Sequence, residues 1–312
     1  MPHAHRCILT VKPPFELPLV LCGHGWFALA PHEWAGGTFS TILRADGEPV
    51  RAEVRAAARG LAVTLHCTRR LASRTVQALK QQLAHMLRLD DDLAAFWRLC
   101  AAHERLGWVA QRGGGRLLRS ATVFEDLMKL LLTTNCTWSL TEIMVRNLVA
   151  TAGPPGPDGK RAFPSALECN RGERFFRTKV KVGYRARAAA ALARQFARGE
   201  LRDEHFLAPE LPTEELRERV QALDGFGPYA AGQALRLFGR YDDLALDSWC
   251  RARIAQLLGR RRAPADATIA RLYDAFTGYR GLAMWCDLTA EWHGEGTRPG
   301  AGGLRGADES TA

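Results

Sequence analysis

"LDGFGPYAAGQALRLFGRYDDLALDSW", residues 223–249, is the stretch on which the fold turns. Upstream of it "TEELRERVQAL" (213–223) is a strong helix by propensity. "DGFGP" (224–228) punctuates it with two glycines and a proline, and "YAAGQALRLFG" (229–239) resumes a helical pattern. Two helices are thus joined by a tight Gly-x-Gly turn. Without a Cβ, Gly225 and Gly227 let the backbone come close to another body. The turn amides and the start of the second helix point the same way, an anion site suited to a phosphate. A plain helix–turn–helix corner would use the same glycines for packing. Further on, Asp247 follows an apolar run and precedes "SWCRARIAQLLG" (248–259). It is either a cap for that helix or a lone carboxylate set at a site.

The surrounding chain has 312 residues, 47% hydrophobic and 24% charged, with a net charge of +10. That is enough apolar material for a core, and the basic excess favours a polyanionic partner through counterion release. The eight cysteines, Cys7, Cys22, Cys67, Cys100, Cys136, Cys169, Cys250 and Cys286, contain no CxxC pair. Zinc and iron–sulfur spacings are therefore absent, and no metal site is expected. Scattered thiols of this kind fit a reducing cytoplasm. The opening "MPHAHRCILTVKPP" has no long apolar run, and no run reaches membrane-spanning length, so neither a secretory signal nor a membrane partner is expected.

The first hundred residues alternate. In "PVRAEVRAAARG" (49–60), Val50, Ala52 and Val54 share one face and Arg51, Glu53 and Arg55 the other; "GLAVTLHC" (60–67) repeats the pattern with Leu61, Val63 and Leu65. "GTFSTILRADGEPV" (37–50) adds a strand and a turn at Asp46-Gly47. A helix follows through Leu71, Leu79, Leu83, Met86 and Leu87. Beyond residue 90 the pattern is helical. "DDLAAFWRLCAAHERLGWVA" (91–110) reads as one helix with an acidic start. "SATVFEDLMKLLLTTNC" (120–136) has Ser120 as its candidate cap and buries Phe124, Leu127, Leu130 and Leu131. "TAGPPGPDGKRAFPS" (151–165) is a loop, and "YRARAAAALARQFA" (184–197) a helix. The expected fold class is α+β, mainly helical: a small antiparallel sheet domain with a helix over 1–95, then an all-helical domain over 96–293. The tail 294–312 has almost nothing to bury and is expected to be disordered.

Placed together, the hairpin and the aspartate resemble the helix-hairpin-helix, Gly/Pro-Asp superfamily of base-excision DNA glycosylases. The hairpin matches as Leu223-Asp224-Gly225-Phe226-Gly227, and the family's catalytic aspartate matches Asp247, 18 residues after Tyr229. "FPSALECNRGERFFRTKVKVGYRARAAAALA" (163–193), through Gly183-Tyr184-Arg185-Ala186, is similar to another family segment. "VFEDLMKLLLTTNCTW" (123–138) is similar to the helix that ends in an Asn-bearing turn facing DNA. "CGHGWFALAPHEW" (22–34) resembles the extra N-terminal domain of the branch with 8-oxoguanine DNA glycosylase and 3-methyladenine DNA glycosylase II. The likeness covers roughly residues 15–293.

The resemblance implies an enzyme that flips a damaged nucleotide out of double-stranded DNA and breaks its glycosidic bond. Asp247 would stabilise the positive charge developing on the sugar and guide a water. The hairpin, Leu223, Gly225, Phe226, Gly227 and Tyr229, would grip a backbone phosphate, often with a monovalent cation on its carbonyls. No other cofactor is implied, and an iron–sulfur cluster is excluded because only Cys286 follows Cys250. Asp224 departs from the family's usual proline. Tyr229 stands where bifunctional members carry the lysine that forms a Schiff base, so water is the expected nucleophile. Lys179 and Lys181 are the nearest basic alternatives in sequence.

Asn135 is a candidate to fill the gap left by the flipped base, or simply a helix C-cap. Gly23 falls where the 8-oxoguanine enzymes sense the damaged purine with a backbone carbonyl. Trp26 and Trp138 could stack on a flipped base or sit in the core. Arg185 and Arg187 are candidate phosphate contacts or a solvated helix face. Tyr279-Arg280 would shape the pocket or the core, with Met284 and Trp285 buried. The expectation is a monomeric, cytoplasmic, monofunctional glycosylase for a damaged base, in the first place an alkylated one. The rivals are an 8-oxoguanine enzyme with lyase activity and a non-catalytic helix-hairpin-helix DNA-binding protein.

Overall fold

The computed structural model describes residues 3–293, so the tail expected to be disordered lies outside the described residues. Five strands form one antiparallel sheet in the order β1-β5-β4-β3-β2, with β1 His3–Leu9, β2 Glu33–Ala35, β3 Thr38–Ala45, β4 Glu48–Ala57 and β5 Gly60–Cys67. The alternation read from the sequence sets the register. Val54 pairs with Phe39 on one side and Val63 on the other, and Ala52 pairs with Leu65. Val50, Ala52, Val54, Leu61, Val63 and Leu65 are all buried, while Arg55 stays exposed. Asp46 and Gly47 both take positive φ, the two-residue turn that matches strand twist. The edge strand β1 was not legible, because "HAHRCIL" has no apolar alternation and is exposed over most of its length. The helix Ser73–Met86 lays Val76, Leu79, Leu83 and Met86 against the sheet.

The stretch 91–110 is two helices, Ala94–Ala101 and Gly107–Arg112, not one. Phe96 and Cys100 of the first and Val109 of the second are buried, and the break between them seats Leu106 in the same core. The helix Val123–Thr133 is capped by Thr122, not Ser120: the Thr122 side chain accepts from the Glu125 amide. Ser120 instead donates its amide to the Asp126 carboxylate at 2.9 Å. Every residue from Val123 to Leu132 is buried, so this helix runs through the middle of the molecule.

Two cores result. One joins the buried sheet face to the central helices, from Leu79 through Leu131 and Ala189 to Leu235. The second is built from Leu93–Val109 and the segment 241–288, including Phe96, Ile254, Tyr273 and Leu282. Candidate site residues are supplied along the junction of these two cores. No described helix is long and apolar enough to cross a membrane.

Candidate functional site

The hairpin is formed as the sequence predicts. Helix Thr213–Gln221 leads into the turn, and helix Pro228–Leu237 leaves it with proline in its first turn. Gly225 has φ +85°, and a Cβ there would meet Leu131 Cδ1 at 2.7 Å and Ala188 Cβ at 3.1 Å. Conformation and packing therefore both require glycine at 225. Gly227 differs: its φ is −83°, and a Cβ would meet nothing within 4 Å. Nothing inside the protein demands a glycine at 227; only close approach by something outside would. Leu223 and Phe226 are buried and hold the turn against the core. The hairpin therefore offers backbone, not these side chains, to the exterior. Asp224 pairs with Arg187 at 3.6 Å, which offsets its charge.

Asp247 is the helix cap that the sequence allowed, and it keeps one oxygen turned toward a neighbouring side chain. Its Oδ1 caps the helix Ser248–Leu257 by accepting from the Cys250 amide at 2.7 Å. Its Oδ2 accepts from the Tyr229 hydroxyl at 3.2 Å. Tyr229 is therefore held beside the aspartate while still bordering the hairpin turn. Burial, and next the Asp247 charge, push the Tyr229 phenol well above its usual pKa, so it is a neutral donor.

Two hollows meet at this pair. Behind it lies a cavity of about 370 Å³, lined by five of the chain's eight tryptophans: Trp26, Trp138, Trp249, Trp285 and Trp292. Trp249, Trp285 and Trp292 touch one another, with ring centroids 5.7–6.0 Å apart. Trp138 lies so close over Gly25 that a Cβ at 25 would sit 2.2 Å from its ring. Its indole donates to Glu142 at 2.9 Å. Trp26 is fixed by donation to Asp126 Oδ1 at 2.8 Å. His24 donates from Nε2 to the Leu118 carbonyl at 2.7 Å, and burial lowers its pKa to about 3, so it lines the cavity as a neutral ring. Gln233 and the buried Arg236 complete the wall. Burial pulls the Arg236 pKa down from its usual value, yet a guanidinium keeps its proton near neutrality.

In front of the pair lies an open cleft of about 840 Å³, walled by Asn135, Tyr184, Arg187, Gly225 and Gly227. Asn135 is exposed in a left-handed turn, φ 47°, just past the end of the central helix. A basic segment borders this face: residues 171–187 carry seven arginines and lysines against one glutamate. Arg174, Arg177, Lys179, Lys181 and Arg187 are exposed.

The expectations for Gly23 and Arg185 are corrected here, and the alternatives left for Tyr279 and Arg280 are decided. Gly23 does not present its carbonyl to the cavity: that oxygen accepts from the Trp285 indole at 2.6 Å. Its neighbours His24, Gly25 and Trp26 line the cavity instead. Arg185 is not a phosphate contact. It is buried, donates to the carbonyls of Thr134 and Asn135, and stacks 4.5 Å from the Tyr184 ring, so it braces the Asn135 turn. Tyr279 and Arg280 do not reach the cavity: Tyr279 stacks on Phe96 at 5.3 Å, and Arg280 is paired with Asp242. Lys179 and Lys181 line neither hollow. Trp285, expected in the core, is a cavity wall. Trp249 and Trp292 were missed altogether; the seven-residue step from Trp285 to Trp292 was the available signal.

No family model and no curated protein matches the sequence. Solved structures do match in fold. One is a 3-methyladenine DNA-glycosylase from Archaeoglobus fulgidus, 20% identical, covering 92% of this chain and 98% of its own, with a TM-score of 0.67. Another is an 8-oxoguanine glycosylase/lyase from Clostridium acetobutylicum, 18% identical, with the same coverages and a TM-score of 0.69. The Clostridium protein bound to double-stranded DNA with cytosine opposite 8-oxoguanine matches at 18%, over 89% of this chain and 92% of its own, with a TM-score of 0.65. The chain has the fold of these DNA glycosylases, N-terminal sheet included.

Proposed function

We propose that this protein is a monofunctional DNA glycosylase, which hydrolyses the bond between a damaged base and its sugar in double-stranded DNA. The carrying observation is Asp247, whose carboxylate stands at the mouth of an aromatic cavity and beside the hairpin. A base inside a duplex must leave the stack to be reached. The open cleft receives the backbone: the Gly227 turn and the start of the following helix offer amides to a phosphate, and Arg187 adds a cation. The cavity receives the flipped base between tryptophan faces.

As the C1′–N bond breaks, its electron pair leaves with the base and positive charge grows on the sugar. The Asp247 carboxylate stabilises that charge. A water adds its oxygen to C1′ and its proton passes by way of Asp247 to solvent. Tyr229 donates to Asp247 and holds its second oxygen in place. A phenol with a raised pKa is no Schiff-base nucleophile, and no lysine lines either hollow, which supports water.

Within this reading the protein acts as a monomer in the cytoplasm. A monovalent cation at the hairpin belongs to it as well: the carbonyls of Asp224, Gly225 and Phe226 accept no hydrogen bond from described residues, which suits a weakly held ion. Alkylated bases are the first class to offer, because the tyrosine in place of lysine sets the chain apart from lyase-type enzymes. The test is a panel of duplexes carrying an alkylated purine, hypoxanthine, uracil or 8-oxoguanine, scored for strand breaks with and without alkali. Breaks only after alkali are expected. Breaks without alkali would favour the lyase rival, and intact strands with undiminished duplex binding would favour the non-catalytic one.

A further inference from the structure

Gln233 stands on the cavity wall one helical turn past Tyr229, and its side chain is fixed by what lies beneath it. Arg236 Nη1 donates to the amide oxygen of Gln233 at 3.2 Å. A guanidinium has donors only, so this contact dictates which end of the amide is oxygen. The amide nitrogen is left over, and no described residue accepts from it. The half-buried Gln233 therefore brings a free N–H donor to the cavity.

Arg236 is itself 2% exposed. Its other contacts are the Leu244 carbonyl at 3.0 Å and the face of Trp285, 5.1 Å away. No carboxylate lies within ion-pair distance of it among the described residues, and its Nε has no partner. The wall one turn along the helix from Tyr229 thus carries a buried guanidinium without an ion-pair partner, and it has already taken one of the aromatic faces that would attract a cation. His24 adds no negative charge to oppose it.

Resting on the glycosylase reading, we propose that Gln233, held by Arg236, is the specificity-determining residue of the cavity. It selects neutral bases that present an oxygen acceptor over purines made cationic by ring alkylation, which narrows the alkylated class offered above to its uncharged members. Such a base accepts from the Gln233 amide. A cationic one meets the Arg236 charge, and one with an amine in place of the oxygen sets donor against donor.

The test is equilibrium binding to duplexes whose lesion sugar carries a 2′-fluorine, which blocks excision. Three bases are compared opposite one partner: hypoxanthine, with a neutral oxygen; N7-methylguanine, with the oxygen and a positive charge; and adenine, with an amine. Hypoxanthine is expected to bind about tenfold tighter than either. Gln233→Leu should erase the difference between hypoxanthine and adenine. Gln233→Glu, which offers only acceptors, should reverse it and favour N7-methylguanine relative to wild type. Equal or tighter binding of N7-methylguanine or adenine by the wild type overturns the proposal, as does an equal loss on all three in Gln233→Leu. The unfluorinated hypoxanthine duplex separates the two claims. A binding preference without excision would sink the glycosylase reading and leave the selectivity standing. Excision without a preference would do the reverse.

Discussion

The cavity behind Asp247 and the cleft in front of it share Thr133, Cys136, Tyr229, Asp247 and Ser248, yet they are built from opposite materials. The cavity is walled by indole rings whose N–H groups are tied down: Trp26 to Asp126, Trp138 to Glu142, Trp285 to Gly23. The cleft is more than twice as large and is walled by backbone, one exposed asparagine and charged side chains. A slot walled mainly by fixed rings, with a few polar groups among them, suits one flat base, and an open polar groove suits a solvated polyanion. Asp247 stands where they meet, and on the proposed reading a flipped nucleotide would have its base in one and its phosphates in the other.

If that division of labour holds, variants at the boundary should separate chemistry from binding most sharply. Asp247→Asn keeps the helix cap, so stability should change by less than about 0.5 kcal/mol. Excision should fall about a thousandfold while duplex binding persists. Single-turnover rates beside binding isotherms read both.

The two hairpin glycines make the next contrast. Gly225→Ala forces a left-handed residue against Leu131 and Ala188, and should destabilise the fold by about 2–4 kcal/mol in denaturant unfolding. Gly227→Ala has room and an ordinary φ, so stability should stay within about 0.5 kcal/mol. Its duplex affinity should drop about tenfold if a phosphate approaches there. Intact affinity in Gly227→Ala would break the assignment of the cleft to DNA.

Acid should act on the cavity side. His24, held at about 3, and His32, pushed well below its usual range, are buried neutral. In the unfolded chain they titrate near 6.5. Between those values the unfolded state holds protons that the native state refuses, so stability is full above about pH 6.5 and declines as pH falls. His24 contributes a loss of about 2 kcal/mol by pH 5, and His32 adds to it in the same direction. A denaturant midpoint unchanged between pH 7 and pH 5 would contradict this.

The smallest effects belong to the neighbouring arginines. Arg187→Ala should lower the slope of log affinity against log salt by about 1 with the fold unchanged. Arg185→Ala should instead destabilise by about 1–3 kcal/mol, since it frees the Thr134 and Asn135 carbonyls. A salt slope altered by Arg185→Ala at unchanged stability would reverse the two roles.

The hairpin, Asp247 and the buried sheet faces were legible because each is local: a glycine pair, a cap position, a two-residue alternation. Arg185 and Arg187 look alike in sequence, and only the path of the turn at Asn135 buries one and exposes the other. The Gly23 carbonyl was misplaced because Trp285, 262 residues away, claims it. Trp249 was invisible as a cavity wall for the same reason, since long-range packing brings it to the other rings, and Trp292 was hinted at only by its seven-residue step from Trp285. The orientation of Gln233 needed the Arg236 contact, which no periodicity reveals.

In the proposed reaction, water directed by Asp247 takes the place of an attacking lysine. Borohydride trapping during turnover on a duplex the protein excises tests it most directly. The expected products are free base and an intact abasic strand, with no protein–DNA adduct. A covalent adduct, mapped to any lysine, would contradict it.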